Sequence, residues 1–127
     1  MNPKEKKAFS LIARVGSFKH AFRGLWVFVS DTHNAWVEIL FGAVFVIAGF
    51  YFSISKEEWF ALVISIGILL TAEAFNTAIE VDMNLTSPDY HPLARDTKDV
   101  AAGAVLLAVF LVLIIVGMIF IPRIFSL

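Results

Sequence analysis

Apolar residues recur along this chain in two different rhythms. In the first quarter, Leu11, Val15, Phe18, Phe22 and Leu25 return every three or four positions, the spacing of an apolar stripe on an α-helix. Lys19, His20 and Arg23 lie off that stripe, and Lys4, Lys6 and Lys7 precede it. Segment 4–29 therefore predicts an amphipathic helix lying in the headgroup plane of a membrane, with a soluble helix packed on a partner as the alternative. Farther on, the rhythm gives way to unbroken apolar runs. Ile39 to Ile54 carries no charge and extends back through Val37 and Trp36 past a lone acid, Glu38; Trp59 to Ala72 and Val100 to Ile121 are also uncharged. These runs predict transmembrane helices over 36–54, 59–80 and 100–121, each long enough to cross a bilayer.

Polar segments separate the runs. Ser30 to Asn34 is a break rich in N-cap residues, and Ser55 to Glu58 reads as a short turn. Segment 82–99 reads as a long loop punctuated by Pro88 and Pro92, far more chain than a helical hairpin needs, and surplus loop of that kind tends to carry function. Ala101, Ala102, Gly103 and Ala104 open the last run with residues small enough for close helix approach. Trp26, Trp36 and Trp59 fall where interfacial anchors are expected.

Composition fixes the class. With 127 residues, 59% of them hydrophobic and only 17% charged, the chain reads as one all-α integral-membrane domain covering 1–127. The absence of cysteine excludes disulfides, thiolate metal sites and cysteine nucleophiles. A net charge of −1 argues against nucleic acid as a partner. The basic N-terminus lacks the short apolar core of a cleavable signal, so none is expected. Eight Lys and Arg residues fall in the N-terminal region and the 82–99 segment, against Lys56 and Arg123 on the other side. The bias puts the N-terminus and the 82–99 segment in the cytoplasm.

Acids appear where the second run ends. On a helix Glu73, Asn76, Thr77 and Glu80 fall within about 100° of arc, and a carboxylate within a membrane helix is by default a candidate functional group. Glu73 sits deepest, flanked by apolar residues, as suits a general base. Glu80 lies two turns on, roughly 10 Å of rise away, where one carboxylate plus substrate phosphates would hold Mg²⁺. Lys98 suits the neutralisation of a transferring phosphoryl group, and Asn76 the orientation of an acceptor hydroxyl. A deep base paired with a shallow carboxylate fits a reaction between a lipid-embedded group and a water-borne one.

Glu73-x-x-Asn76-Thr77-x-x-Glu80, followed by Ser87-Pro88-Asp89-Tyr90-His91-Pro92-Leu93-Ala94 and by Lys98-Asp99-Val100-Ala101-Ala102-Gly103-Ala104-Val105, resembles the small bacterial integral-membrane lipid kinases, the prokaryotic diacylglycerol kinase and undecaprenol kinase family. The resemblance runs from about Ser17 to Gly117. It implies ATP-dependent phosphorylation of a lipid alcohol, Mg²⁺ as cofactor, and a homotrimer whose active sites form between neighbouring subunits. It implies Glu73 as general base, Asn76 as its polar helper, and Glu80 as a metal-binding carboxylate. Asp89, Tyr90 and His91 are implied as nucleotide contacts, as is His20 on the first helix, with Lys98 and Asp99 handling phosphates. The version of the motif seen here, with Ser87 to Pro92, leans toward the undecaprenol branch over diacylglycerol.

Three positions depart from the family pattern. Thr32 stands where a glutamate normally joins the second-span acid on the metal, Ala13 where some members carry arginine, and Asn84 where aspartate is common. A hydroxyl is a poorer Mg²⁺ ligand than a carboxylate. Thr32 thus has two readings, metal ligand or helix cap, and a catalytically weakened family member is one alternative for the whole chain. Another is a non-enzymatic membrane protein, such as a proton or ion conduit. That reading expects acids spread through the bilayer depth, and the first and third runs lack acids at their centres. Glu38 fits a substrate cleft or a subunit interface equally well.

Overall fold

The computed structural model describes residues 11–127, so Lys4, Lys6 and Lys7 and the first turns of the expected N-terminal helix lie outside the described residues. The described chain is all helix and turn, in the order α1 (Leu11–Asp31), α2 (His33–Tyr51), α3 (Lys56–Thr86) and α4 (Pro92–Phe125). The last three are long and apolar enough to cross a membrane. In α1 the stripe Leu11, Val15, Phe18, Phe22 and Leu25 is exposed, so the bundle does not cover it; only Phe28 is buried.

Thr32 alone separates α1 from α2. Its backbone is extended (φ −113°, ψ 110°) and it occupies the N-cap of α2, but its hydroxyl makes no capping hydrogen bond. At the other end of α2, the N–H groups of Ser53 and Ile54 return to the carbonyls of Phe50 and Gly49, at 3.2 and 3.1 Å. This closes a Schellman turn with Ser53 at φ 49°, the left-handed position usually given to glycine. The turn folds Ile54 into the core, and Gly49 lets Trp59 lie against the backbone: a Cβ at residue 49 would stand 2.7 Å from its ring. Trp59 also packs against Phe50, with ring centroids 4.8 Å apart and the planes tilted by 52°. Expected as a headgroup anchor, it also packs at the α2–α3 corner.

Ser55 and Glu58 start α3 with a reciprocal capping box: the Ser55 N–H donates to Glu58 Oε2 at 2.7 Å and the Glu58 N–H to Ser55 Oγ at 3.2 Å. From there α3 and α4 run antiparallel and carry most of the inter-helix packing. Ile54, Leu62, Ile119 and Phe120 form one buried cluster near the 53–58 turn, and Leu69, Ala108 and Val112 a second one above it. Of the four small residues opening the last apolar run, Ala101 is the one buried in the seam.

The boundaries correct the sequence reading in one important place. The 82–99 segment is not a loop. Helix α3 continues through it to Thr86 and α4 begins at Pro92, so only residues 87–91 are non-helical. The polarity there reports that the helices have left the apolar layer, not that the backbone has stopped being helical, because a helix satisfies its own amides in water and lipid alike. Local signals support the start of α4. Pro92 occupies a first-turn position that needs no N–H, His91 Nδ1 caps α4 by accepting from the Leu93 N–H at 3.2 Å, and Arg95 pairs with Asp99 one turn on. The first span, expected over 36–54, runs instead from His33 and ends at Tyr51.

Candidate active site

One face of α3 builds the site. Its buried positions are Leu62, Ser65, Leu69, Glu73 and Asn76, a helical stripe that starts apolar and turns acidic. Ser65 is satisfied locally, donating to the Leu62 carbonyl at 2.9 Å. Glu73 is 3% exposed and therefore points into the bundle, not toward acyl chains. Across from it on α2, the Asn34 amide lies in hydrogen-bonding reach of its carboxyl, and Glu38 is near enough for the two acids to interact electrostatically. Sequence reasoning left Glu38 open between a substrate cleft and a subunit interface, and passed over Asn34. The signal for both was their i, i+4 spacing, which sets them on one face of α2.

Glu80 continues the stripe into the exposed region. The Asn76 amide nitrogen donates to Glu80 Oε1 across a long 3.4 Å, while Asn76 Oδ1 and Glu38 Oε2 are buried with no hydrogen-bond partner. Buried acceptors without donors are uncommon and costly. Glu38 Oε2, across from Glu73 on α2, and Asn76 Oδ1, on the turn after it, thus leave acceptor capacity close to the acid for hydrogen-bond donors.

The C-terminal end of α3 and the N-terminal end of α4, with the loop between them, form a polar groove of about 270 Å³ lined by Asn84, Ser87, Pro88, Asp89, Tyr90, His91, Ala94, Arg95, Lys98 and Asp99. Five residues singled out from the sequence, Asp89, Tyr90, His91, Lys98 and Asp99, are thus brought together. Asn84, noted from the sequence only as a departure from the family pattern, and Arg95 were given no place in the site. Asn84 lies one turn past Glu80 on the same face, and Arg95 four residues before Asp99, its partner at 3.6 Å. Lys98 Nζ donates to Asn84 Oδ1 at 2.6 Å. Neither His20 nor Thr32 lines this groove.

Two apolar cavities adjoin the acids. One, of about 540 Å³, opens between α1, α2 and α3 and is lined by Leu25, Phe28, Val29, Ile39, Leu70, Thr71, Ala74, Phe75 and Ala78, so it borders the helix turn that carries Glu73. The other, about 250 Å³, has Glu38 on its wall among Phe41, Phe45, Leu69, Val109, Val112 and Leu113. Among the described residues no three His, Asp or Glu side chains converge on one point, so there is no all-protein metal cage. Glu80 is the carboxylate that could serve as the one protein ligand of a Mg²⁺ arriving on nucleotide phosphates.

The family model described as prokaryotic diacylglycerol kinase matches residues 19–120, most of the chain and all of the site. The chain belongs to that family. Prokaryotic diacylglycerol kinase relatives include the undecaprenol kinase of Bacillus subtilis (strain 168), 36% identical over 107 residues, which cover 84% of this chain and 87% of that protein. The diacylglycerol kinase of Synechocystis sp. is 30% identical over 112 residues, covering 87% of this chain and 64% of that protein. The diacylglycerol kinase of Helicobacter pylori (strain 26695) is 27% identical over 106 residues, 78% of this chain and 83% of the relative. No solved structure matches the chain. Family membership and the three apolar helices make this a multi-pass membrane protein and an enzyme of the lipid-kinase class.

Proposed function

We propose that this protein transfers the terminal phosphoryl group of ATP to the hydroxyl of a membrane lipid, and that the lipid is undecaprenol. The observation that carries the reading is the unbroken polar face of α3. It leads from a fully enclosed acid, Glu73, past Asn76 and Glu80 to Asn84 and the Lys98-bearing groove.

In the proposed reaction the lipid hydroxyl lies beside Glu73, close to Glu38 and Asn76, with its one proton directed at the Glu73 carboxylate. Glu73 takes its proton as the oxygen attacks the terminal phosphorus. The new O–P bond forms, the bond to the β-phosphate oxygen breaks, and ADP leaves carrying the released charge. The proton on Glu73 is then lost to solvent. Lys98 stabilises charge on the transferring group, and the loop 87–91 with Asp99 holds the nucleotide. Glu80 is the residue that would hold Mg²⁺, which neutralises phosphate charge when bound. The lipid chain occupies the cavity between α1, α2 and α3, whose lining is almost wholly apolar.

The reading extends to orientation and assembly. Lys and Arg bias favours a cytoplasmic N-terminus and 87–91 loop in the inner membrane. A homotrimer with sites between subunits would let a neighbour supply His20 and Thr32, which one chain leaves away from its own groove. Undecaprenol is favoured over diacylglycerol because the 36%-identical relative is named for it. The test is purified protein with MgATP and either lipid, against Glu73→Gln. Undecaprenol phosphorylation by the wild type, reduced roughly a hundredfold or more in the variant, is expected. Equal transfer by both proteins overturns the mechanism, and preference for diacylglycerol overturns the substrate.

A further inference from the structure

We propose that Asn84 is a positioning residue for Lys98, holding its ammonium aimed into the groove before nucleotide arrives. The inference rests on the reading above that this groove takes nucleotide phosphates. The Nζ–Oδ1 distance is 2.6 Å, short for a nitrogen–oxygen bond and in keeping with a charged donor. The contact joins residues fourteen apart in sequence, crosses the 87–91 loop, and is made by two side chains that both line the groove.

Two further observations separate this contact from an incidental one. Asn84 lies eleven residues after Glu73, about 20° away around the helix, so the face that carries the acid also carries the lysine's anchor. The other cation of the groove, Arg95, has a carboxylate partner in Asp99, whereas the oxygen on Lys98 belongs to a neutral amide. Lys98 is therefore held without its charge being cancelled. A lysine side chain has rotamer entropy to lose when it binds phosphate. An acceptor that fixes the chain beforehand removes part of that loss and pre-organises the charge.

The experiment is a double-mutant cycle on binding of ATPγS with Mg²⁺ to the full-length protein in detergent micelles, by equilibrium dialysis. Asn84→Ala is expected to raise the Kd about tenfold when Lys98 is present, and less than about twofold in a Lys98→Ala background. Asn84→Asp keeps an acceptor but sets a counter-charge on the ammonium, and is expected to raise the Kd as well. Equal weakening by Asn84→Ala in both backgrounds would mean a purely structural role and overturns the proposal; so does an unchanged Kd in the presence of Lys98. Unfolding temperatures of each variant accompany the Kd values, and Asn84→Ser replaces Asn84→Ala in the cycle if the latter does not fold. A wild-type protein that binds ATPγS in the expected pattern yet phosphorylates no lipid overturns the kinase reading alone. One that binds no ATPγS overturns both.

Discussion

Arg123 grips both carboxylate oxygens of Glu58, Nη1 to Oε1 at 2.8 Å and Nη2 to Oε2 at 2.7 Å, tying the last turn of α4 to the first turn of α3. Arg123 Nη1 also donates to the Ile119 carbonyl at 2.6 Å, and Glu58 is already engaged by the Ser55 cap. The pair is about 70% covered, so each charge depends on the other for part of its lost hydration. Arg123→Ala is expected to destabilise the protein by about 1 kcal/mol, and Arg123→Lys, which cannot form the fork, by a smaller amount. Thermal unfolding in detergent measures both; an unchanged midpoint for Arg123→Ala would show that the pair contributes nothing.

Gly49 gives a sharper test of the α2–α3 corner. A methyl group there would meet the Trp59 ring at 2.7 Å and Ile54 Cδ1 at 3.1 Å, and the ring is confined by Phe50. Gly49→Ala should lower stability by about 1–3 kcal/mol. The double variant Gly49→Ala/Trp59→Leu should recover part of the loss, since the clash partner is gone. Additive losses in the two single variants would contradict the packing described.

The apolar cavity between α1, α2 and α3 predicts a separation of kinetic constants. Ala78→Phe projects a ring into that space without touching Glu73 or the groove. The KM for lipid should rise about fivefold or more while the KM for ATP stays as it was, as expected when one binding contribution is lost and the chemistry is left intact. A rise in the ATP constant instead would put the nucleotide, not the lipid, against this wall.

Thr32 predicts a metal effect. Thr32 is half-buried and its hydroxyl is unused as a cap, so the side chain can be replaced without removing a capping bond from the α1–α2 junction. Thr32→Glu should lower the Mg²⁺ concentration for half-maximal activity about tenfold, the gain expected from a second carboxylate. No change in Mg²⁺ demand would mean that residue 32 does not reach the metal in the assembled enzyme.

The helices, their apolar faces and the acid stripe could be read from the sequence because each depends on local spacing alone. Glu73, Asn76 and Glu80 declare their shared face by counting residues, and the spans by their lack of charge. What sequence concealed depends on the meeting of segments. The continuation of α3 to Thr86 and the start of α4 at Pro92 were hidden because Asp82, Asn84 and Thr86 are as common in loops as in solvated helices. The role of Trp59 was hidden because a tryptophan at a span boundary looks the same whether it faces lipid or Gly49. The grip of Asn84 on Lys98 and the approach of Glu38 to Glu73 join different helices, and no single-helix periodicity announces either.

The antiparallel α3–α4 pair is fastened at both extremities, by Arg123 on Glu58 at one and by Lys98 on Asn84 at the other, whereas α1 and α2 touch it far more lightly. On the proposed function this divides labour within one small chain. The reacting groups ride on a stiff frame that keeps its geometry from one turnover to the next, and the two outer helices are the part able to give way as a bulky lipid slides in sideways from the bilayer. Lipids of different girth should then differ in how readily they get in, and hardly at all in how fast they react once seated.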